Sequence, residues 1–209
     1  MQTFLEEKFI SEQTKQLQPK GIIPFVDAPF APIYTLVARP SQEVREKIRT
    51  AGQSLKKIDP HQYFYSPEQY HFTLMGDIPL VHEKEHLIKI FKETLRKNPL
   101  NIVYKGIQMN SKSAFVPIYF ENDALHKFRT ALREIEPSFY NYSSFLQGLD
   151  SIAWLNIVRF TRPFSPKLKD KVIQQKDIIF GAEYNLKIEL YETTSLVLLP
   201  QDSKLVFSF

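Results

Sequence analysis

The chain has no cysteine. That absence excludes disulfides, zinc–thiolate sites and cysteine nucleophiles, and it fits a reducing compartment. No apolar run reaches the length needed to span a bilayer, and the first residues, MQTFLEEK, lack the basic-then-apolar order of a secretory leader. A cytoplasmic protein without a membrane partner is expected. Strong charge bias is missing too: 27 basic residues stand against 23 acidic ones, a net charge of +4 spread along the chain. A polyanionic partner is permitted by this balance and not demanded by it. What the sequence does have is apolar content, 43% hydrophobic and 13% aromatic over 209 residues. That suffices for a sizeable core, in one domain or in two small lobes that share it.

Residues 1–30 read as an extension ahead of the domain proper, residues 31–209. Phe4, Leu5, Phe9 and Ile10 suggest a short helix, and Pro19, Pro24, Pro29 and Pro32 then impose an irregular, extended approach. Ile33 to Ala38 predicts a strand. Ser41 can cap a helix in which Val44, Ile48, Ala51, Leu55 and Ile58 recur at spacings of four and three, ended by Asp59-Pro60. Tyr63 to Tyr65 and Tyr70 to Met75 read as strand, and His82 to Lys97 as helix. The second half runs in a similar order. Strands are expected at Leu100 to Gln108 and Ala114 to Phe120, then a helix from Asn122 or Asp123 with Leu125, Phe128, Leu132 and Ile135 inward. An aromatic, serine-rich loop, Ser138 to Leu149, precedes a strand from Trp154 to Phe160. A basic segment with Leu168, Val172 and Ile173 leads to strands at Tyr184 to Leu190, Ser195 to Leu199 and Lys204 to Phe209. Two similar passes predict a pseudo-symmetric α+β fold, two-lobed, with two small antiparallel sheets flanking a central cleft and helices outside. No identity links the halves, so the repeat is one of pattern.

The stretch Ser66 to Gly76, SPEQYHFTLMG, carries a histidine and, two residues on, a hydroxyl. In a strand His71 and Thr73 project to one face while Tyr70, Phe72 and Leu74 take the other. An imidazole that titrates near neutrality beside a hydroxyl can handle a phosphate, although a lone pair of this kind also occurs in ordinary strands.

The order of the Pro32 to Pro40 strand, the Ser41 to Ile48 helix start and the His71 run resembles the two-histidine (2H) phosphoesterase superfamily. That superfamily includes LigT-type 2'-5' RNA ligases and RNA cyclic phosphodiesterases, and the resemblance covers roughly residues 31 to 209. Members repeat His-x-Thr/Ser once per lobe. Where the second copy is due, this chain reads AWLNIVRF from Ala153 to Phe160, with Asn156 at the histidine position and Val158 at the hydroxyl position. The resemblance implies a LigT-like fold and a cleft that takes RNA ends or cyclic nucleotides, with His71 and Thr73 as the catalytic pair.

Opening a 2',3'-cyclic phosphate needs a base for water and an acid for the departing ribose oxygen. One histidine cannot easily serve as both, and an asparagine amide exchanges no proton near neutral pH. Catalysis altered or lost is therefore expected. The alternative is an active cyclic phosphodiesterase, or RNA-ligase-like enzyme, with another residue as second proton carrier. Asn156 can still donate two hydrogen bonds to a phosphate. Trp154, two positions before it, either stacks on a nucleobase or fills the vacated space. Arg159 starts on the opposite face of that strand and reaches phosphate only if the strand twists or ends there.

Substitute proton carriers are poorly supported. His126 lies off its helix's apolar stripe, His61 sits in a loop, and Tyr140 or Tyr142 would need a lowered pKa. His82-Glu83-Lys84-Glu85-His86 matches the zinc pattern His-Glu-x-x-His. Its charged intervening residues and the lack of a third ligand point instead to a solvated helix start, so no metal or cofactor is expected. The expected partner is RNA or a nucleotide carrying a phosphate, bound by a monomer.

Overall fold

A computed structural model describes residues 31–142, 152–195 and 197–209, with the backbone alone at 140–142. Residues 1–30 and most of the serine-rich loop lie outside the described residues, as do the side chains of Tyr140 and Tyr142. The chain runs β1 (Ile33–Arg39), α1 (Gln42–Lys56), β2 (Tyr63–Phe64), β3 (Phe72–Pro79) and α2 (Lys84–Lys97). It continues through β4 (Ile102–Lys105), β5 (Gln108–Met109), β6 (Ser113–Phe120), α3 (Ala124–Ile135) and β7 (Ala153–Arg159). Last come α4 (Pro166–Gln174), β8 (Ile179–Glu183), β9 (Lys187–Thr193) and β10 (Ser203–Ser208). This is the α+β fold with two antiparallel sheets that the sequence pattern predicts.

The two passes along the chain do not, however, map onto the two sheets. One sheet has the order β10-β9-β1-β3, so the first-pass strands β1 and β3 are extended on one side by the last two strands of the chain. The other has the order β2-β7-β6-β4-β8, with β5 paired to β6, and so takes one short strand from the first pass. All pairings are antiparallel. The chain exchanges strands because sheet partners are chosen by long-range packing, which local periodicity does not encode. Helices follow the exchange: α1 packs against β7, β8 and α4, whereas α2 packs against α3, which reaches β3.

Local rules account for the element ends. The Ser41 side chain accepts from the Val44 amide, and Val44, Ile48, Ala51 and Leu55 are buried along α1 as the stripe predicts. Ser165 caps α4 in the same way, with Pro166 in its first turn. Two predicted strands are corrected. Tyr184 is not the start of a strand but part of the turn between β8 and β9, and the segment from Ser195 to Leu199 forms a turn rather than a strand, apart from Leu196, which is not described. Thr193 consumes the groups a ladder would need there, since its hydroxyl takes the Ser195 amide and donates back to the same turn. One main hydrophobic cluster draws on both sheets and all four helices, while Phe115 and Ile152 form a small satellite with Trp154 packed on it.

No helix among the described residues is long and apolar enough to cross a membrane.

Candidate functional site

The site is set by how three strands project their side chains. On β1, Tyr34, Leu36 and Ala38 enter the main core, which leaves Ile33, Thr35, Val37 and Arg39 for the opposite face. Val37 pairs with Thr73 and Ala38 with Phe72, so Thr73 lies on the cleft face and Phe72 in the core. The regular alternation then breaks. Leu36 pairs with Met75 and Tyr34 with Ile78, which leaves Leu74 as one extra residue and Gly76-Asp77 opposite Thr35 as a second irregularity. Asp77 sits in the left-handed region, φ 57°.

A cavity of about 200 Å³ opens along this face, and His71, Thr73, Trp154, Asn156 and Arg159 all line it. The structure thus brings these five residues to one cavity. It reverses two of the orientations. Ala114 pairs with Val158 and Phe115 with Asn156, so β7 carries a bulge at Ile157. The extra residue shifts the alternation by one. Val158 is fully buried in the main core and does not face the cavity, whereas Arg159, expected on the far face, lines it.

His71 is held in one protonation state and one tautomer. Its Nδ1 lies 2.7 Å from the Gln69 carbonyl oxygen. A carbonyl only accepts, so Nδ1 carries the proton and Nε2 keeps its lone pair. Burial pushes the imidazole down to about 4, helped by Arg39 and Arg159 and opposed by the Gln69 bond and Glu189. At neutral pH His71 is a neutral acceptor at Nε2, able to take a proton but with none to give.

Arg39 positions this histidine rather than lining the cavity. Its Nη1 donates to the Glu68 and Tyr70 carbonyls on either side of Gln69, its Nε to Glu189 and its Nη2 to the Tyr191 hydroxyl, which donates in turn to Glu189. Burial pushes the Glu189 carboxyl up, but hydrogen bonds from Lys187, Arg39 and Tyr191 outweigh it and hold the group below its ordinary range. The network is a clamp on the entry to β3.

Arg129, which no sequence motif marked, is 1% exposed and lines the cavity. Its guanidinium donates to the carbonyls of Thr73 (3.1 Å), Leu74 (2.8 Å) and Ile152 (3.3 Å), tying β3 to the start of β7. It brings positive charge into the wall. Its helix neighbours Leu125, Phe128 and Leu132 mark the buried face of α3, and Arg129 falls one position from Phe128, which is the signal that was available. Asp77, Thr35, Thr193 and Ser195 complete the polar lining.

Asn156 carries a buried Oδ1 that meets no hydrogen-bond partner among the described residues. An unpaired acceptor of this kind costs about 1–3 kcal/mol unless a ligand or water satisfies it. Trp154 packs at a tilt against Phe115, centroids 6.2 Å apart, and forms part of the cavity wall without filling the space.

No second histidine and no tyrosine line the cavity among the described residues. His61 and His126 are exposed. His82 precedes α2 and packs edge-on against Phe139, 5.6 Å away, so it does not share a helical turn with His86, which lies 3.9 Å from Glu136. No group of three or more metal-ligating residues occurs among the described residues.

Comparison with known proteins shows the fold and nothing finer. No protein-family model matches the sequence, and no curated protein matches it. Among solved structures, TT0787 of Thermus thermophilus is similar with a TM-score of 0.58 and 14% identity, over 85% of this chain and 96% of that one. ATU0111 of Agrobacterium tumefaciens, described as a conserved protein of unknown function, has a TM-score of 0.51 and 10% identity, over 88% and 94%.

Proposed function

We propose that this cleft binds the phosphate of an RNA end or of a cyclic nucleotide, and that the chain is a two-histidine phosphoesterase-like protein whose second motif has lost its proton carrier. The observation that carries the reading is the make-up of one cavity: a neutral His71, Thr73, and the Arg129 and Arg159 guanidiniums, with Asn156 where a second imidazole would act. Guanidinium groups and hydroxyls hold phosphoryl oxygens, and they do so best in a partly enclosed site of reduced dielectric.

The chemistry then stops halfway. His71 Nε2 can take the proton of an attacking water. The ribose oxygen that leaves phosphorus must receive a proton, and Asn156 has none to exchange. Losing a general acid forfeits about 10²- to 10⁴-fold in rate, so binding outlives turnover. On this reading the protein works as a cytoplasmic monomer, and its role is to hold a phosphate-bearing end.

The test is turnover and binding of an RNA ending in a 2',3'-cyclic phosphate by wild type, His71→Ala and Asn156→His. Val158 stays unchanged in the restored variant because its side chain belongs to the core. We expect binding without measurable turnover in wild type, weaker binding in His71→Ala, and turnover gained in Asn156→His. Turnover by wild type that His71→Ala abolishes would instead establish an active enzyme with another proton carrier.

A further inference from the structure

Gly76 lines the cavity beside Thr73, yet its backbone does not call for a glycine. In this irregular stretch of β3 the left-handed region is taken by Asp77 and not by Gly76, whose conformation is open to an L-residue. What the glycine supplies is space. A Cβ placed there would lie 3.2 Å from Thr73 Cγ2 and 3.7 Å from Thr35 Oγ1. The first distance is inside the roughly 3.5–4.0 Å at which carbon atoms pack best; the second is ordinary contact. The Thr73 hydroxyl is not within 4 Å of that point. Thr73 therefore turns its methyl towards the gap at Gly76 and its hydroxyl elsewhere.

That hydroxyl has no hydrogen-bond partner among the described residues and is not one of the buried unpartnered atoms, so it is open to the cavity that Thr73 lines. The Thr35 hydroxyl is directed instead at the Met75 carbonyl, 3.5 Å away. Of these two neighbours, Thr73 is the one with a hydroxyl left for a ligand.

Methyl and hydroxyl share one Cβ, and a threonine side chain takes one of a few staggered positions. Either rotation that carries the methyl away from residue 76 also carries the hydroxyl out of its present direction and puts hydrogen or methyl in its place. We infer that Gly76 is a positioning residue: its missing side chain leaves room for the Thr73 methyl and thereby aims the Thr73 hydroxyl at the bound phosphate. This rests on the phosphate reading of the same cavity.

Trp154 is the only tryptophan of the chain and lines this cavity, so its fluorescence reports titration with inorganic phosphate. Independently of any ligand, NMR couplings from the Thr73 methyl carbon to its backbone nitrogen and carbonyl carbon read the side-chain rotamer. Both are measured on full-length wild type, Gly76→Ala, Thr73→Ser and the double variant. In Gly76→Ala, Thr73 should change rotamer and phosphate affinity should fall about tenfold, the scale of one hydrogen bond to a charged group. Serine has no Cγ2 to meet the added Cβ, so Gly76→Ala in the Thr73→Ser background should change affinity by less than about twofold. An unchanged rotamer in Gly76→Ala, or an equal loss of affinity in both backgrounds, would overturn the role of Gly76 and leave the phosphate site standing. A Gly76→Ala protein that does not fold where the double variant does would overturn it as well, since the contact would then govern stability. Failure of wild type to bind phosphate would overturn the phosphate site and the positioning role together.

Discussion

At the scale of single residues, the functional information lies in how His71 is held. Its Nδ1 is committed to a backbone carbonyl and burial lowers its pKa to about 4, so the free protein presents a base rather than an acid across the neutral range. Two consequences can be measured. A proton-dependent strengthening of phosphate binding should appear as pH falls towards about 4 and not near the ordinary histidine value of roughly 6.5. Because the folded pKa is depressed, the unfolded chain takes up the proton first, and stability is lost as pH falls from about 6.5 to about 4 and is flat below. Proton NMR of the five histidines checks this: one ring titrating near pH 4 in wild type and missing from His71→Ala is the expected result. Saturation with inorganic phosphate should raise that midpoint, since an adjacent anion favours the imidazolium. A His71 midpoint near 6.5 in the free protein would remove the basis for a neutral imidazole.

At the scale of elements, the bulge in β7 decides which side chains form the site. Ile157 and Val158 are both apolar, so strict alternation from Asn156 aims Val158 at the cleft and Arg159 away from it. The observed register does the reverse, and nothing local in the segment from Ala153 to Phe160 marks the extra residue. What was legible there was the strand; what was not was the register, because the partner strand β6, distant in sequence, sets it. The same limit hid the two irregularities of β3, and with them Asp77, although Gly76 gave a hint that the ladder breaks. Arg129 escaped for another reason: a basic residue beside an apolar stripe reads as a solvated face, and its burial shows only once the carbonyls of β3 and Ile152 lie over it. The bulge predicts a clean separation between neighbours. Val158→Thr places an unpaired hydroxyl in the core and should cost about 1–3 kcal/mol of stability with phosphate affinity unchanged. Arg159→Ala should leave the core intact and weaken phosphate binding about tenfold. Denaturation midpoints and Trp154 titrations of the two variants, side by side, distinguish the observed register from simple alternation.

At the scale of the whole molecule, the exchange of strands between the two passes is what makes one cavity from two sheets. β9 and β10 come from the end of the chain and pair beside β1, so Thr193 and Ser195 wall the cavity opposite residues fixed far earlier in the chain. Periodicity revealed nearly all the elements but not this pairing, since an antiparallel ladder between β1 and β9 leaves no trace in either segment alone. On the proposed function, this arrangement also limits how nucleic acid is held. The net charge is only +4, and two guanidinium groups, Arg129 and Arg159, line the cavity. If binding is confined to the cavity, the logarithm of the affinity for a phosphate-ended RNA should fall with the logarithm of salt concentration at a slope no steeper than about −1.4, or about −0.7 for each guanidinium engaged. The slope should stay constant as the RNA is lengthened, because further phosphates lie outside the cavity. Titrating RNAs of increasing length over a range of potassium chloride concentrations, with Trp154 as reporter, measures it. A slope that steepens with each added nucleotide would mean that the mild basic excess forms a continuous track on the surface, and that the cavity is the end of a longer binding path rather than the whole of it.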